Sequence, residues 1–201
     1  MGRYTGPKTK ISRRFGEPIY GPDKTLERRN FPPGMHGGNR RRKLSEYGTQ
    51  LKEKQKAKFI YGMREGQFRR FYEKARAMQG NTGDNLLRLC ESRLDNVVFR
   101  MGLAPTRPAA RQLVSHRHIE VNGKVCNIPS YIVRPGETIA VRERDKDMRA
   151  VVDILETPRQ AACAWVEFDK NAKSGVYVRA PETEEIPETV DEQAIVEFYS
   201  R

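Results

Sequence analysis

Cysteine is scarce in this chain, three in 201 residues, and tryptophan occurs once. Cys90, Cys126 and Cys163 are far apart in apolar or strand-like surroundings, which argues against a disulfide scaffold and for reduced, buried thiols. No apolar run approaches the roughly 20 residues that span a bilayer, and the N-terminus has no signal-peptide core. Gly6 stands where a myristoylation signal needs Ser or Thr. The expectation is an uncleaved cytoplasmic protein with no membrane partner. Apolar residues are also in short supply, about 41% when glycine is counted in place of tyrosine, against about 45–50% in an ordinary domain. Part of the chain is therefore expected to be extended. His116 and His118 are one residue apart and His36 is distant, without supporting Cys or acidic ligands, so neither a metal nor a cofactor is expected. No phosphate-binding glycine loop is present, and no nucleophile has a base in a recognisable motif.

What is present is positive charge, unevenly placed. Residues 1–80 carry 21 Lys/Arg against 7 Asp/Glu, residues 81–150 carry 12 against 8, and residues 151–201 carry 5 against 11, within a net charge of +12. Such asymmetry points to a polyanion lying along the basic half. Acidic pairs such as Glu184-Glu185 read as a solvated run, or as a surface for a basic protein.

Residues 1–43 hold five of the twelve prolines and the basic pairs Arg13-Arg14 and Arg28-Arg29. They read as a basic extended arm ordered mainly by its partner, with Arg3, Lys8, Lys10, Arg13 and Arg14 as candidate polyanion contacts. Residues 44–91 read as a helical domain. Ser45 is a helix cap, and Tyr47 and Leu51 share a face while Lys52, Lys54, Lys56 and Lys58 spread over the rest. Phe68, Phe71, Tyr72, Ala75 and Met78 fall at spacings of three and four and read as core, so RNA contact goes to the cations, chiefly Lys54, Arg69 and Arg70. Asn81-Thr82-Gly83 breaks the pattern and Asp84 restarts it.

Ser92 and Asp95 then form a capping-box-like start to a helix with Leu94, Val97, Val98 and Met101 in one stripe, stopped by Gly102. Thr106 caps a second helix with Pro108 in its first turn. Ala109, Ala110, Leu113 and Val114 supply its buried side, and Arg107, Arg111, Gln112 and Ser115 its other face. After His116, Arg117 and His118 the period changes to two. Ile119 and Val121 alternate with polar neighbours, Asn122-Gly123 is a type I′ turn signal, and Val125, after Lys124, opens the return strand. Pro135-Gly136 marks another turn before a strand over 138–141. Met148, Val151, Val152 and Leu155 read as a helix ended by Pro158. Residues 165–168 and 176–178 read as strands joined through Ser174-Gly175. The tail EQAIVEFYSR has enough apolar residues to pack back on the helical domain, its type left open.

The stretch from Ser92, SRLDNVVFRMGLAPTRPAARQLVSHRHIEVNGKVCNIPSYIVRPGETIAV, resembles the S-four RNA-binding module. RYTGPKTKISRR from Arg3, FPPGMHG from Phe31, LSEYGTQLKEKQKAKFIYG from Leu44 and NTGDNLLRLCESRLDNVV from Asn81 resemble the bacterial small-subunit ribosomal S-four family. The likeness covers nearly the whole chain, more weakly after about Asp145, and departs at Met35, where the loop usually reads Pro-Gly-Gln-His-Gly. Some members carry a four-cysteine zinc site in the arm. Here Thr9, Ser12 and the residues around Phe31 offer no sulfur, so the zinc-free type is expected.

The resemblance implies an α+β fold: the arm, the helical domain 44–91 joined by the tail 187–201, and an S-four module of short helices on a small antiparallel sheet over 92–180. It implies a structural constituent of the small ribosomal subunit that binds 16S ribosomal RNA at a multi-helix junction of the five-prime domain, early in assembly. Arg107, Arg111, Gln112, Ser115, His116, Arg117 and Lys124 are the module's candidate contacts. It further implies contact with the fifth small-subunit protein, a contribution to decoding accuracy, and in some members repression of their own messenger RNA. Arg40, Arg41 and Lys43 would lie near the path by which messenger RNA enters. The rival reading is enzymatic, because pseudouridine synthases carry the same module and an Arg-Leu-Asp motif. Arg93-Leu94-Asp95 fits it superficially, but NVVFRMG follows rather than a Thr-Ser-Gly-like turn, and only about fifty residues follow the module.

Overall fold

Four of the helix starts are capped by short polar side chains. Asp23, Ser45, Thr106 and Asp191 each accept a hydrogen bond from a backbone N–H of the first turn that follows. The computed structural model describes residues 2, 4–39, 43–156 and 163–201. Arg3, Arg40, Arg41 and the expected helix stop at Pro158 lie outside the described residues. The chain divides into two compact units, Met1–Leu86 with Glu188–Arg201, and Leu87–Pro187.

In the first unit the arm is not simply extended. Ile11 and Phe15, one helical turn apart, are both buried, and they fix α1 (Lys8–Phe15) until Gly16, in the left-handed region at φ 79°, ends it. A shorter helix, α2 (Lys24–Arg28), follows, with Leu26 buried. Two apolar residues at the right spacing are enough for a helix that has a neighbour to bury them, and the Phe15 and Phe59 rings lie 6.1 Å apart.

The helical section is α3 (Glu46–Ile60) and α4 (Glu65–Ala77). Phe68, Phe71, Tyr72 and Ala75 of α4 are buried as the spacing predicts, but Met78 is 45% exposed because the helix has already ended there. The tail forms α9 (Glu192–Ser200), which packs on α3. Gln50 Nε2 donates to Glu197 at 2.9 Å, Tyr199 stacks on Tyr72 at 4.6 Å, and Phe198 tilts against Tyr47 at 5.5 Å. The boundary between the units falls between Leu86 and Leu87 of α5 (Thr82–Glu91), which starts at Thr82, two residues before the expected Asp84.

The second unit is helices on an antiparallel sheet. Helices α6 (Leu94–Arg100) and α7 (Arg107–Ser115) precede β1 (Ile119–Val121), β2 (Lys124–Val125) and β3 (Thr138–Val141). After α8 (Arg149–Glu156) come β4 (Val166–Asp169) and β5 (Ser174–Tyr177), giving the order β2-β1-β3-β5-β4. Asn122 and Gly123, both at positive φ, make the expected β1–β2 turn. Its core unites Leu94, Val97 and Val98 of α6, Ala110 and Val114 of α7, Ile119, Ile139 and Val141 of the sheet, and Trp165 and Tyr177. Burying each of the valine, leucine and isoleucine side chains contributes roughly 1.5–3 kcal/mol against leaving it in water.

Two local expectations are corrected. Ser92 is not the cap of α6, whose N-cap is Arg93; the Ser92 hydroxyl instead bonds Arg88 O and meets the Tyr177 hydroxyl, both at 2.7 Å. Ser174 and Gly175 belong to β5 rather than to a turn, which lies earlier, with Lys173 at φ 52°. A Cβ on Gly175 would sit 2.4 Å from the Glu167 carbonyl oxygen, so glycine here answers a close approach inside the sheet.

Candidate nucleic-acid interface

The site grows from how the second unit spends its charges. Behind α6, Glu91 accepts Arg100 Nε and Nη2 at 2.9 and 2.8 Å and Asn96 Nδ2 at 2.6 Å. Asn96 Oδ1 in turn receives Arg107 Nε at 2.6 Å, and the Arg107 guanidinium lies 4.6 Å from the Phe99 ring centroid. Beside it Asp95 takes Arg93 through both oxygens, at 3.0 and 2.6 Å, and Arg111 Nη1 at 3.2 Å. Glu91, Arg93, Asp95, Asn96, Arg100 and Arg111 are all buried. Desolvated charges hold together only when paired and hydrogen-bonded, as these are. Asp95 therefore fails as the capping-box partner for a physical reason: Arg93 takes both oxygens of its carboxylate, and Arg111 of α7, sixteen positions away, shares one of them.

Arg107 and Arg111 are thus engaged with the protein itself. So is Lys54, which is buried with its ammonium 2.8 Å from Glu65 and 4.7 Å from the Phe198 ring centroid. Burial raises the Glu65 pKa, but hydrogen bonds from Lys54 and Tyr199 and the charges of Lys54 and Lys58 outweigh it and leave the carboxyl below its ordinary value. Arg13, half-buried, is also engaged with the protein: its Nε donates to the carbonyls of Phe31 at 3.0 Å and Arg29 at 3.3 Å, and its Nη2 to Pro32 at 3.3 Å. The sequence gives no sign of this inward use, because each partner is distant in the chain or is a backbone carbonyl.

The other candidates among the described residues are exposed. Lys8, Lys10 and Arg14 are exposed on α1, Lys43 before α3, and Arg69 and Arg70 on α4, with Arg69 3.3 Å from Glu73. In the second unit Gln112 and Ser115 of α7, His116 and Arg117 after it, and Lys124 on the hairpin are exposed. Arg117 is the notable one. Its φ is 67°, and its N–H bonds Val114 O while that of His118 bonds Leu113 O. This is the left-handed position after a helix that glycine ordinarily fills. A cation thus stands at a strained helix end, close to the β1–β2 hairpin in sequence.

Among the described residues no His/Cys/Asp/Glu group has the geometry for a metal ion, and no helix is long and apolar enough to cross a membrane. None of the three cysteines forms a disulfide, and burial pushes the Cys90 thiol up to about 12.

The second unit thus sets two short helices against an antiparallel sheet, with exposed cations at the helix end and on the hairpin. Residues 3–91 match the family described as Ribosomal protein S4/S9 N-terminal domain, and residues 92–139 match the S4 domain. The chain is 56% identical over 201 residues, the full length of both, to "Small ribosomal subunit protein uS4" of Parabacteroides distasonis. It is 55% identical over 201 residues, again the full length of both, to the protein of that name in Bacteroides thetaiotaomicron. The same name is borne by a full-length relative in Christiangramia forsetii, 56% identical over 202 residues. The chain belongs to the uS4 family of small ribosomal subunit proteins.

Proposed function

We propose that this protein is a non-enzymatic constituent of the small ribosomal subunit that binds 16S ribosomal RNA at a multi-helix junction of the five-prime domain and stabilises its folded shape early in assembly. The observation that carries the reading is identity along the whole chain to small-subunit proteins. The outward cations supply the chemistry. Folded RNA is recognised largely through phosphate and 2′-hydroxyl geometry, which suits Lys and Arg on rigid elements. Arg14, Arg69, Arg70, Arg117 and Lys124 are the direct contacts in this reading, joined by Gln112, Ser115 and His116. Arg107 and Arg111 serve by holding α6 and α7 together. The enzymatic alternative loses its nucleophile, since the Asp95 carboxylate is buried and shared between Arg93 and Arg111.

The division of labour follows the chain: the arm 1–43 and the helical domain 44–91 with tail 187–201 present most of the positive charge, and the module 92–180 reads the junction's shape. Within the subunit the neighbours are other ribosomal proteins, the fifth among them, and Lys43 with Arg40 and Arg41 lies toward the incoming messenger RNA. Repression of its own messenger is a separate role, tested by competing a leader transcript against ribosomal RNA.

Binding of the full chain to five-prime-domain RNA across salt, with transfer RNA as competitor, tests the main reading. If about eight cations displace counterions, the log–log slope is about −6. An Arg117→Ala/Lys124→Ala variant should lose affinity and flatten the slope. Equal, weak binding to both RNAs would refute the junction reading.

A further inference from the structure

Singly exposed apolar residues are ordinary on protein surfaces, so exposure alone does not mark a site. Phe31 is set apart by how it is held. Of the exposed aromatic rings in the first unit, Tyr4 lies edge-on to Phe59 at 5.4 Å and Tyr47 rests on Phe198, so both are packed against other rings. Phe31, 40% exposed, meets a guanidinium instead: Arg13 lies 4.8 Å from its ring centroid. That guanidinium also donates to the carbonyls of Arg29, Phe31 and Pro32, so the cation beneath the ring is locked to the backbone that carries the ring. Pro32 and Pro33 fix φ just beyond it. Arg13 lies over the ring, and two-fifths of the residue's surface stays open.

Such a fixed, partly exposed ring, in a chain whose first eighty residues carry 21 Lys/Arg against 7 Asp/Glu, has one fitting occupant. The charge draws a polyanion, and unpaired bases of RNA stack on aromatic side chains. A ring already held in place loses little freedom when the base arrives. We propose that Phe31 is a stacking platform for an unpaired nucleobase of the bound RNA and that Arg13 is the residue that positions it. This rests on the RNA-binding reading and adds to it a contact of different chemistry, one that does not depend on phosphate charge.

The test is affinity of the full chain for five-prime-domain RNA over a salt series, comparing wild type with Phe31→Leu, Phe31→Tyr and Phe31→Trp, each checked by thermal melting. Leucine keeps apolar bulk and leaves the carbonyls that hold Arg13. Phe31→Leu should bind roughly five- to a hundredfold more weakly with the salt slope unchanged, while Tyr and Trp retain wild-type affinity. Phe31→Leu binding within twofold of wild type would overturn the proposal, as would a loss that Tyr and Trp share or one accompanied by a shallower slope. Wild-type protein that does not bind the RNA at all would overturn the RNA reading, and this proposal with it.

Discussion

Glu91 and Arg100 meet as a two-pronged pair, Oε2 on Nε at 2.9 Å and Oε1 on Nη2 at 2.8 Å, with both residues buried. Asn96 donates to the same carboxylate and passes the connection on to Arg107. The pair is the anchor of the α6–α7 arrangement. Glu91→Ala should destabilise the protein by about 3–5 kcal/mol, the range for stranding a buried charge. Glu91→Leu/Arg100→Met should lose much less. Urea unfolding of both variants separates the cost of an orphaned charge from the worth of the pair.

Arg117 offers the reverse test, in which stability rises and function falls. A non-glycine residue at φ 67° is strained, so Arg117→Gly should stabilise the protein by about 1 kcal/mol in thermal melts while weakening RNA binding. Arg117→Lys should keep the strain and most of the affinity. Unchanged binding in the glycine variant would mean that the cation is not a contact.

Gly175 has no room for a methyl group, with Glu167 O at 2.4 Å and Met101 Cε at 3.1 Å from the position of a Cβ. Gly175→Ala should force β4 and β5 apart, costing about 1–3 kcal/mol as overpacking does. Faster hydrogen exchange confined to 166–177 would register it.

Arg179 and Glu185 form a forked pair, with Nη1 on Oε2 at 2.8 Å and Nη2 on Oε1. The Arg179 hydrogen bonds, with the Glu182 N–H, hold the Glu185 carboxyl at about 2, below its ordinary 4.5. A depressed carboxyl stabilises the fold fully above its unfolded value and ceases to do so as pH falls through the folded one. The contribution should therefore disappear between about pH 4.5 and pH 2. Glu185→Gln should melt below wild type at neutral pH, and the two curves should converge within that window.

What the sequence makes legible here is local. The Ser45 and Thr106 caps, Pro108 in the first turn of α7 and the Asn122-Gly123 turn involve residues within three or four positions of one another, and all stand as read. The misreadings are non-local. Asp95 fits a cap by spacing yet its carboxylate is shared between Arg93 and the distant Arg111, and Ser174-Gly175 has turn composition yet sits where two strands crowd. Charge identifies the partner class; only contacts divide the cations that hold the protein together from those left facing outward.

The pairing of α3 with α9 bears on how this chain matures as it is made. Gln50 and Glu197 are 147 positions apart, so a nascent chain exposes α3 and α4 long before α9 exists to cover Tyr72 and Lys54. The second unit, contiguous from Leu87 to Pro187, has every residue it needs sooner. Synthesis thus reverses the usual order in which the leading part folds first. The segment with the greatest positive charge is completed last, and until then its cations are carried on an unfinished scaffold.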